Sequence, residues 1–186
     1  MAGDGAALNL PNAITMARIL LAPVLVVLVL SSPEGSVAAA VVFAAGALGD
    51  ILDGTLARSR GLVTTVGKLL DPVADKLLVG AALIALVVVD RLWVVVPVVI
   101  LTREVLVTVL RTVAARRGEI IDASGFGKIK MTLQIVMVFI LLAVADPRQA
   151  WVDVLVAATV LATIVSGIDY LVKFRRAEPV PAPRVA

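Results

Sequence analysis

Four aspartates stand in two pairs with helical spacing: Asp50 and Asp53 are three residues apart, Asp71 and Asp75 four apart. On an α-helix either interval returns a side chain to the same face. Carboxylates crowded on two such faces repel one another, and a bound divalent cation relieves the repulsion. The chain has no Cys and no His, which excludes thiolate and imidazole ligands, Ser-His-Asp triads, disulfides and iron–sulfur sites. A metal site here is therefore built from oxygens, the donors preferred by hard ions such as Mg²⁺, Mn²⁺ or Ca²⁺. Gly54 follows Asp53 and lets a ligand approach the backbone, Ala57 keeps one face small, and Arg58 offers a fork for phosphate oxygens. The plainer alternative is four interfacial acids partly paired with Arg58, Lys68 and Lys76.

The elements that position these residues follow from composition. The 186 residues are 61% apolar and 17% charged, with a mean hydropathy of +1.07, against about 45–50% and about 25% in soluble domains. This is the profile of an all-α, polytopic integral membrane protein. A bilayer core of about 30 Å takes roughly 20 apolar residues per helix. Apolar stretches centre on Ile14–Leu30, Val37–Gly49, Leu77–Val89, Leu92–Leu110, Met131–Ala145 and Ala150–Ile168. Charged flanks complete the shorter ones, so the second helix runs on through Asp50–Arg58 and the third begins near Gly67. Six transmembrane helices result, forming one domain over residues 1–176. Residues 177–186, with Pro179, Pro181 and Pro183, read as a disordered tail.

Orientation comes from the 17 Lys and Arg residues. With a cytoplasmic N-terminus, only Arg91 and Arg148 fall outside and Arg103 lies within helix 4; all the others fall on the inner side. That bias places both termini in the cytoplasm. The net charge of +3 is then an orientation signal with some attraction to anionic lipid, and no nucleic-acid partner is needed. Both aspartate pairs flank the same short cytoplasmic loop on antiparallel helices, so the expected site lies at the cytoplasmic edge of the membrane.

Joined, these residues spell Asp50-x2-Asp53-Gly54-x2-Ala57-Arg58-x8-Gly67-x3-Asp71-x3-Asp75. The pattern resembles the signature of the CDP-alcohol phosphatidyltransferases, with every defining position filled. The resemblance implies transfer of a phosphatidyl group from a CDP-linked lipid to an alcohol, with release of CMP and use of Mg²⁺ or Mn²⁺, as two ions. It implies metal binding by Asp50, Asp53, Asp71 and Asp75, with Asp75 also the general base on the acceptor hydroxyl. It further implies a CMP and diphosphate cradle of Gly54, Ala57, Arg58 and Gly67, with Thr64 as another nucleotide contact. A homodimer in a bacterial inner membrane is implied as well.

Softer motifs narrow the acceptor. Leu10-Pro11-Asn12-x2-Thr15-x2-Arg18, Gly67-Lys68-Leu69-Leu70-Asp71-Pro72, Thr102-Arg103-Glu104-x6-Arg111, Gly127-Lys128-Ile129-Lys130 and Ser166-Gly167-x2-Tyr170-x2-Lys173 look like the branch of the family that takes glycerol 3-phosphate. CDP-diacylglycerol and glycerol 3-phosphate would then give phosphatidylglycerol phosphate and CMP. A dianionic acceptor needs a cationic pocket, and Arg111, Lys128, Lys130 and Lys173 fall on the expected cytoplasmic side to supply it. Arg103 and Glu104 lie deep in helix 4; side chains of adjacent residues diverge by about 100°, so they are not expected to pair with each other, and each is expected to find its partner on a neighbouring helix or at the substrate cavity. The alternatives are phosphatidylglycerol as acceptor, giving cardiolipin, and a small cation transporter. A transport site would sit nearer the bilayer midplane.

Overall fold

The computed structural model describes the backbone of residues 10–60, 65–119 and 125–176, and the side chains of residues 16–49, 76–119 and 125–176. The described residues form six helices and no strand: α1 Leu10–Ser31, α2 Val37–Arg60, α3 Thr65–Val88, α4 Val95–Arg116, α5 Gly125–Ala143 and α6 Ala150–Arg176. Each coincides with one expected apolar stretch together with its charged flanks. By length and composition α5 and α6 are able to cross a membrane, and shorter apolar segments occupy Met16–Ser31, Val37–Gly49 and Lys76–Val88. The expected tail at 177–186 lies outside the described residues.

The chain divides into two compact units. The first holds α1, α2 and α3 with residues 138–149; the second holds α4, α5 as far as Met137, and α6.

In the first unit α2 is capped by Ser36, whose Oγ accepts a hydrogen bond from the Ala39 N–H at 3.1 Å, a side-chain cap on an otherwise orphaned donor. The preceding Gly35 has φ +115°, and a Cβ there would collide with the Val144 carbonyl oxygen. Only glycine fits. Further along α2, Gly46 faces the buried Leu78 of α3 and Leu21 of α1, leaving no room for a larger side chain. The helix α3 ends where Asp90 adopts φ 56°, and the Arg91 N–H donates back to the Leu86 carbonyl at 2.9 Å.

Arg91, in the loop between α3 and α4, is only 8% exposed. Its Nε donates to the Leu141 carbonyl at 3.0 Å, and Nη1 to Pro33 at 3.1 Å and Ala145 at 3.3 Å, while Nη2 donates to Val144. Helix ends leave carbonyls that no helical N–H can reach, and the guanidinium fork collects them from the end of α5 and the α1–α2 turn. Burial pulls the Arg91 pKa below its ordinary value, and the Asp146 charge opposes that shift.

In the second unit, contacts between α4 and α6 advance in the same sense: Arg103 meets Ser166, Arg111 meets Tyr170 and Arg117 meets Phe174. The two helices therefore run parallel. Against α6, α5 runs the other way, with Gly127 close to Ser166 and the Leu133 carbonyl 3.4 Å from the Thr159 hydroxyl. The end of α4, the start of α5 and the end of α6 thus share one end of the unit. That end carries Arg116, Arg117, Lys128, Lys173, Arg175 and Arg176, and the cations closing α6 also suit its C-terminal dipole. Thr159 and Thr163 are fully buried and donate to the Leu155 and Thr159 carbonyls one turn back, so their hydroxyls are satisfied within an apolar helix.

A substitution at Arg91 tests the clamp. Arg91→Lys keeps the charge but loses the fork, and each charge-assisted bond lost is worth about 1.5–3 kcal/mol. The thermal unfolding midpoint of the detergent-solubilised protein should fall; an unchanged midpoint would contradict the capping role.

Candidate active site

The signature residues fall on two helices of the first unit. Asp50, Asp53, Gly54, Ala57 and Arg58 belong to the last turns of α2, and Gly67, Asp71 and Asp75 to the first half of α3. Thr64 lies outside the described residues, as do the side chains of residues 50–75. The backbone register around them is set by described neighbours. Gly46 of α2 meets Leu78 of α3; Asp50 comes one turn after Gly46, and Asp75 one turn before Leu78.

The acceptor-pocket candidates all lie in the second unit, and the structure divides them. Arg111 and Lys128 are exposed. The Arg111 guanidinium lies 5.9 Å from the centre of the Tyr170 ring, within cation–π range. Lys173 is half-buried and pairs with Asp169 one turn back at 3.2 Å. Lys130 is 5% exposed, and its Nζ donates to Glu104 Oε1.

Arg103 and Glu104 correct one expectation. They do pair with each other, Nη1 to Oε1 at 3.1 Å. The divergence of neighbouring Cβ atoms governs only the root of a side chain, and the long arginine stem turns its guanidinium back. The expected partners on other helices are present as well: Arg103 Nη2 donates to Ser166 Oγ of α6 at 2.5 Å, and Lys130 reaches Glu104 from α5. One carboxylate thus serves two cations and ties the three helices of the unit. Beside Arg103, a cavity of about 400 Å³ opens between α4 and α6, lined by Val98, Thr102, Leu106, Thr163 and Gly167 among others.

Three residues carry more than the sequence reading gave them. Ser166 and Tyr170 belong to a quoted motif without an assigned role; the structure makes Ser166 a partner of Arg103 and buries Tyr170 under Arg111. Arg18, counted as an interfacial cation, is 2% exposed within the first unit. Its place in the motif with Leu10-Pro11-Asn12 was the available signal. Among the described residues no group of three acidic side chains is placed to hold a metal; the side chains of the four signature aspartates lie outside them.

Removing the shared carboxylate should be costly. Glu104→Leu leaves Arg103 and Lys130 without it, and breaking a buried pair from one side costs about 3–5 kcal/mol. Glu104→Gln retains an acceptor oxygen and should cost less. Unfolding midpoints of the two variants in detergent check the order; equal midpoints would sink the bridging role.

A family model described as CDP-alcohol phosphatidyltransferase matches residues 8–167. The chain is 41% identical over 184 residues to the CDP-diacylglycerol–glycerol-3-phosphate 3-phosphatidyltransferase of Bacillus subtilis (strain 168), covering 89% of this chain and 94% of that one. It is 39% identical over 181 residues to a "Probable phosphatidylglycerophosphate synthase" of Mycobacterium tuberculosis (strain ATCC 25618 / H37Rv), covering 95% and 86% respectively. A Rickettsia typhi protein (strain ATCC VR-144 / Wilmington) with the same name as the Bacillus one is 38% identical over 135 residues, covering 72% of this chain and 76% of its own.

Proposed function

The chain belongs to the CDP-alcohol phosphatidyltransferase family, and on that premise we propose that it transfers the phosphatidyl group of CDP-diacylglycerol to glycerol 3-phosphate. The products are phosphatidylglycerol phosphate and CMP. The observation that carries this reading is identity of about 40% over most of the chain to proteins named for that reaction, in a sequence whose signature positions are all filled.

Each step then has residues to perform it. The donor set fits a hard divalent cation: four carboxylates on neighbouring turns of α2 and α3, in a chain without Cys or His. Asp50, Asp53, Asp71 and Asp75 would hold the metal, as two ions of Mg²⁺ or Mn²⁺, whose charge offsets that of the diphosphate. Gly54, Ala57 and Gly67 leave space for the CMP and diphosphate, Arg58 pairs with phosphate oxygens, and Thr64 contacts the nucleotide. Asp75 takes the proton from the primary hydroxyl of glycerol 3-phosphate. That oxygen forms a bond to the phosphorus carrying diacylglycerol, and the bond from that phosphorus to CMP breaks. Arg111 and Lys128 hold the acceptor phosphate so that positioning supplies part of the rate. Lys130 and Lys173 enter this set already holding Glu104 and Asp169, so an incoming phosphate shares them with a carboxylate.

The same reading makes all six helices membrane spans of one domain over residues 1–176, with 177–186 a tail beyond it. Helices of 22–27 residues, and 19 for α5, match a core of about 30 Å at 1.5 Å per residue. Their outward faces carry residues such as Leu20, Val27, Ile84, Val105 and Leu161, all more than half exposed. The positive-inside bias supports cytoplasmic termini and a site at the inner edge of a bacterial membrane, and the family resemblance supports a homodimer.

Purified protein given CDP-diacylglycerol and labelled glycerol 3-phosphate should release one CMP for each labelled lipid formed. CMP release without label in lipid would refute the acceptor. Chelation should abolish both products and added Mg²⁺ or Mn²⁺ restore them. Asp75→Asn should slow turnover by about 10²–10⁴-fold, the usual loss for a general base, and near-normal turnover would remove Asp75 from that role.

The acceptor pocket has its own test. A neutral residue at Arg111 or Lys128 should raise the KM for glycerol 3-phosphate by about tenfold to a hundredfold, the worth of one charge-assisted contact. The KM for CDP-diacylglycerol should move much less. Equal effects on both substrates would show a general loss of structure instead.

A further inference from the structure

Tyr170 is the one tyrosine of the chain, and it sits in α6 with 3% of its surface exposed. Its hydroxyl is buried and has no hydrogen-bond partner among the described residues. Buried tyrosine hydroxyls normally find a partner, and leaving one unpaired is unfavourable enough that phenylalanine would be the better residue for packing alone. What the fold does provide is a cation: the Arg111 guanidinium over the ring face. Lys173 stands one helical turn further along α6. Lys173 is already paired with Asp169, but a phenol donor beside the Arg111 guanidinium at the cationic end of one unit suits an anion rich in oxygen acceptors.

We propose that Tyr170 is an acceptor-binding residue: its hydroxyl donates a hydrogen bond to a phosphate monoester that Arg111 holds. The exposed Arg111 rests on the ring. A phosphate draws the guanidinium to itself and so brings its oxygens to the phenol, which then loses its unpaired state. This deepens the reading of glycerol 3-phosphate as acceptor and rests on it for the ligand's identity. It also gives the pocket a means of selection, because a phosphodiester within a lipid carries one charge and fewer free oxygens than the dianionic monoester.

A single tyrosine makes the test direct. Protein labelled with ¹³C at the tyrosine ζ carbon, in phosphatidylcholine nanodiscs, gives one phenol signal by NMR. Glycerol 3-phosphate and inorganic phosphate should each shift it, glycerol should not, and Arg111→Gln should abolish the response. Nanodiscs containing phosphatidylglycerol should leave it in place; a shift there matching that from glycerol 3-phosphate would overturn the monoester assignment. In kinetics, Tyr170→Phe should raise the KM for glycerol 3-phosphate roughly tenfold or more, with the KM for CDP-diacylglycerol and the unfolding midpoint unchanged or the midpoint raised. An unmoved signal with phosphate monoesters, or an unchanged acceptor KM in Tyr170→Phe, overturns the proposal. Wild-type turnover of glycerol 3-phosphate is read separately: its failure refutes the acceptor reading, while the NMR response to inorganic phosphate still decides whether Tyr170 binds phosphate.

Discussion

A charge taken out of water costs several kcal/mol unless partners replace its hydration. That constraint organises both units. In the second, Glu104 accepts from Arg103 and Lys130 while Arg103 also reaches Ser166, so one set of contacts links α4, α5 and α6. In the first, Arg91 gathers four backbone carbonyls where helices end. Polar atoms that would otherwise oppose burial become the specific contacts that set helix register, as apolar packing alone does weakly.

The proposed chemistry uses the same principle from the other side. Four carboxylates on adjacent helix turns are unfavourable by themselves, and a site of that kind is coherent only with cations bound. Cations gathered at one end of the second unit are likewise unfavourable until an anion arrives. The signature aspartates belong to the first unit, and Arg111, Lys128, Lys130 and Lys173 to the second. In the proposed reaction, donor activation and acceptor capture would use residues from different helices.

Much of this was legible in the chain itself. The helix breaks fall where Pro33 and Gly35, Asp90, and Asp146 with Pro147 interrupt apolar runs, because those residues act through local backbone chemistry. The aspartate pattern is readable for the same reason, since helical spacing alone places each pair on one face. Long-range partners are another matter. A loop arginine looks alike in sequence whether it is solvated or buried, and the carbonyls that hold Arg91 lie 50 to 58 residues away. The Arg103–Glu104 pair escapes a rule based on Cβ directions because side-chain reach decides it. Tyr170 is marked by its motif, but that its hydroxyl has no partner among the described residues is known only from the packed structure.

The choice of acceptor is the central claim, and direct competition addresses it. Wild-type protein in nanodiscs receives equal amounts of glycerol 3-phosphate, phosphatidylglycerol and inositol phosphate, with CDP-diacylglycerol labelled in its phosphatidyl group. The account predicts that the label collects in phosphatidylglycerol phosphate. Label collecting in cardiolipin, or in an inositol lipid, would contradict it.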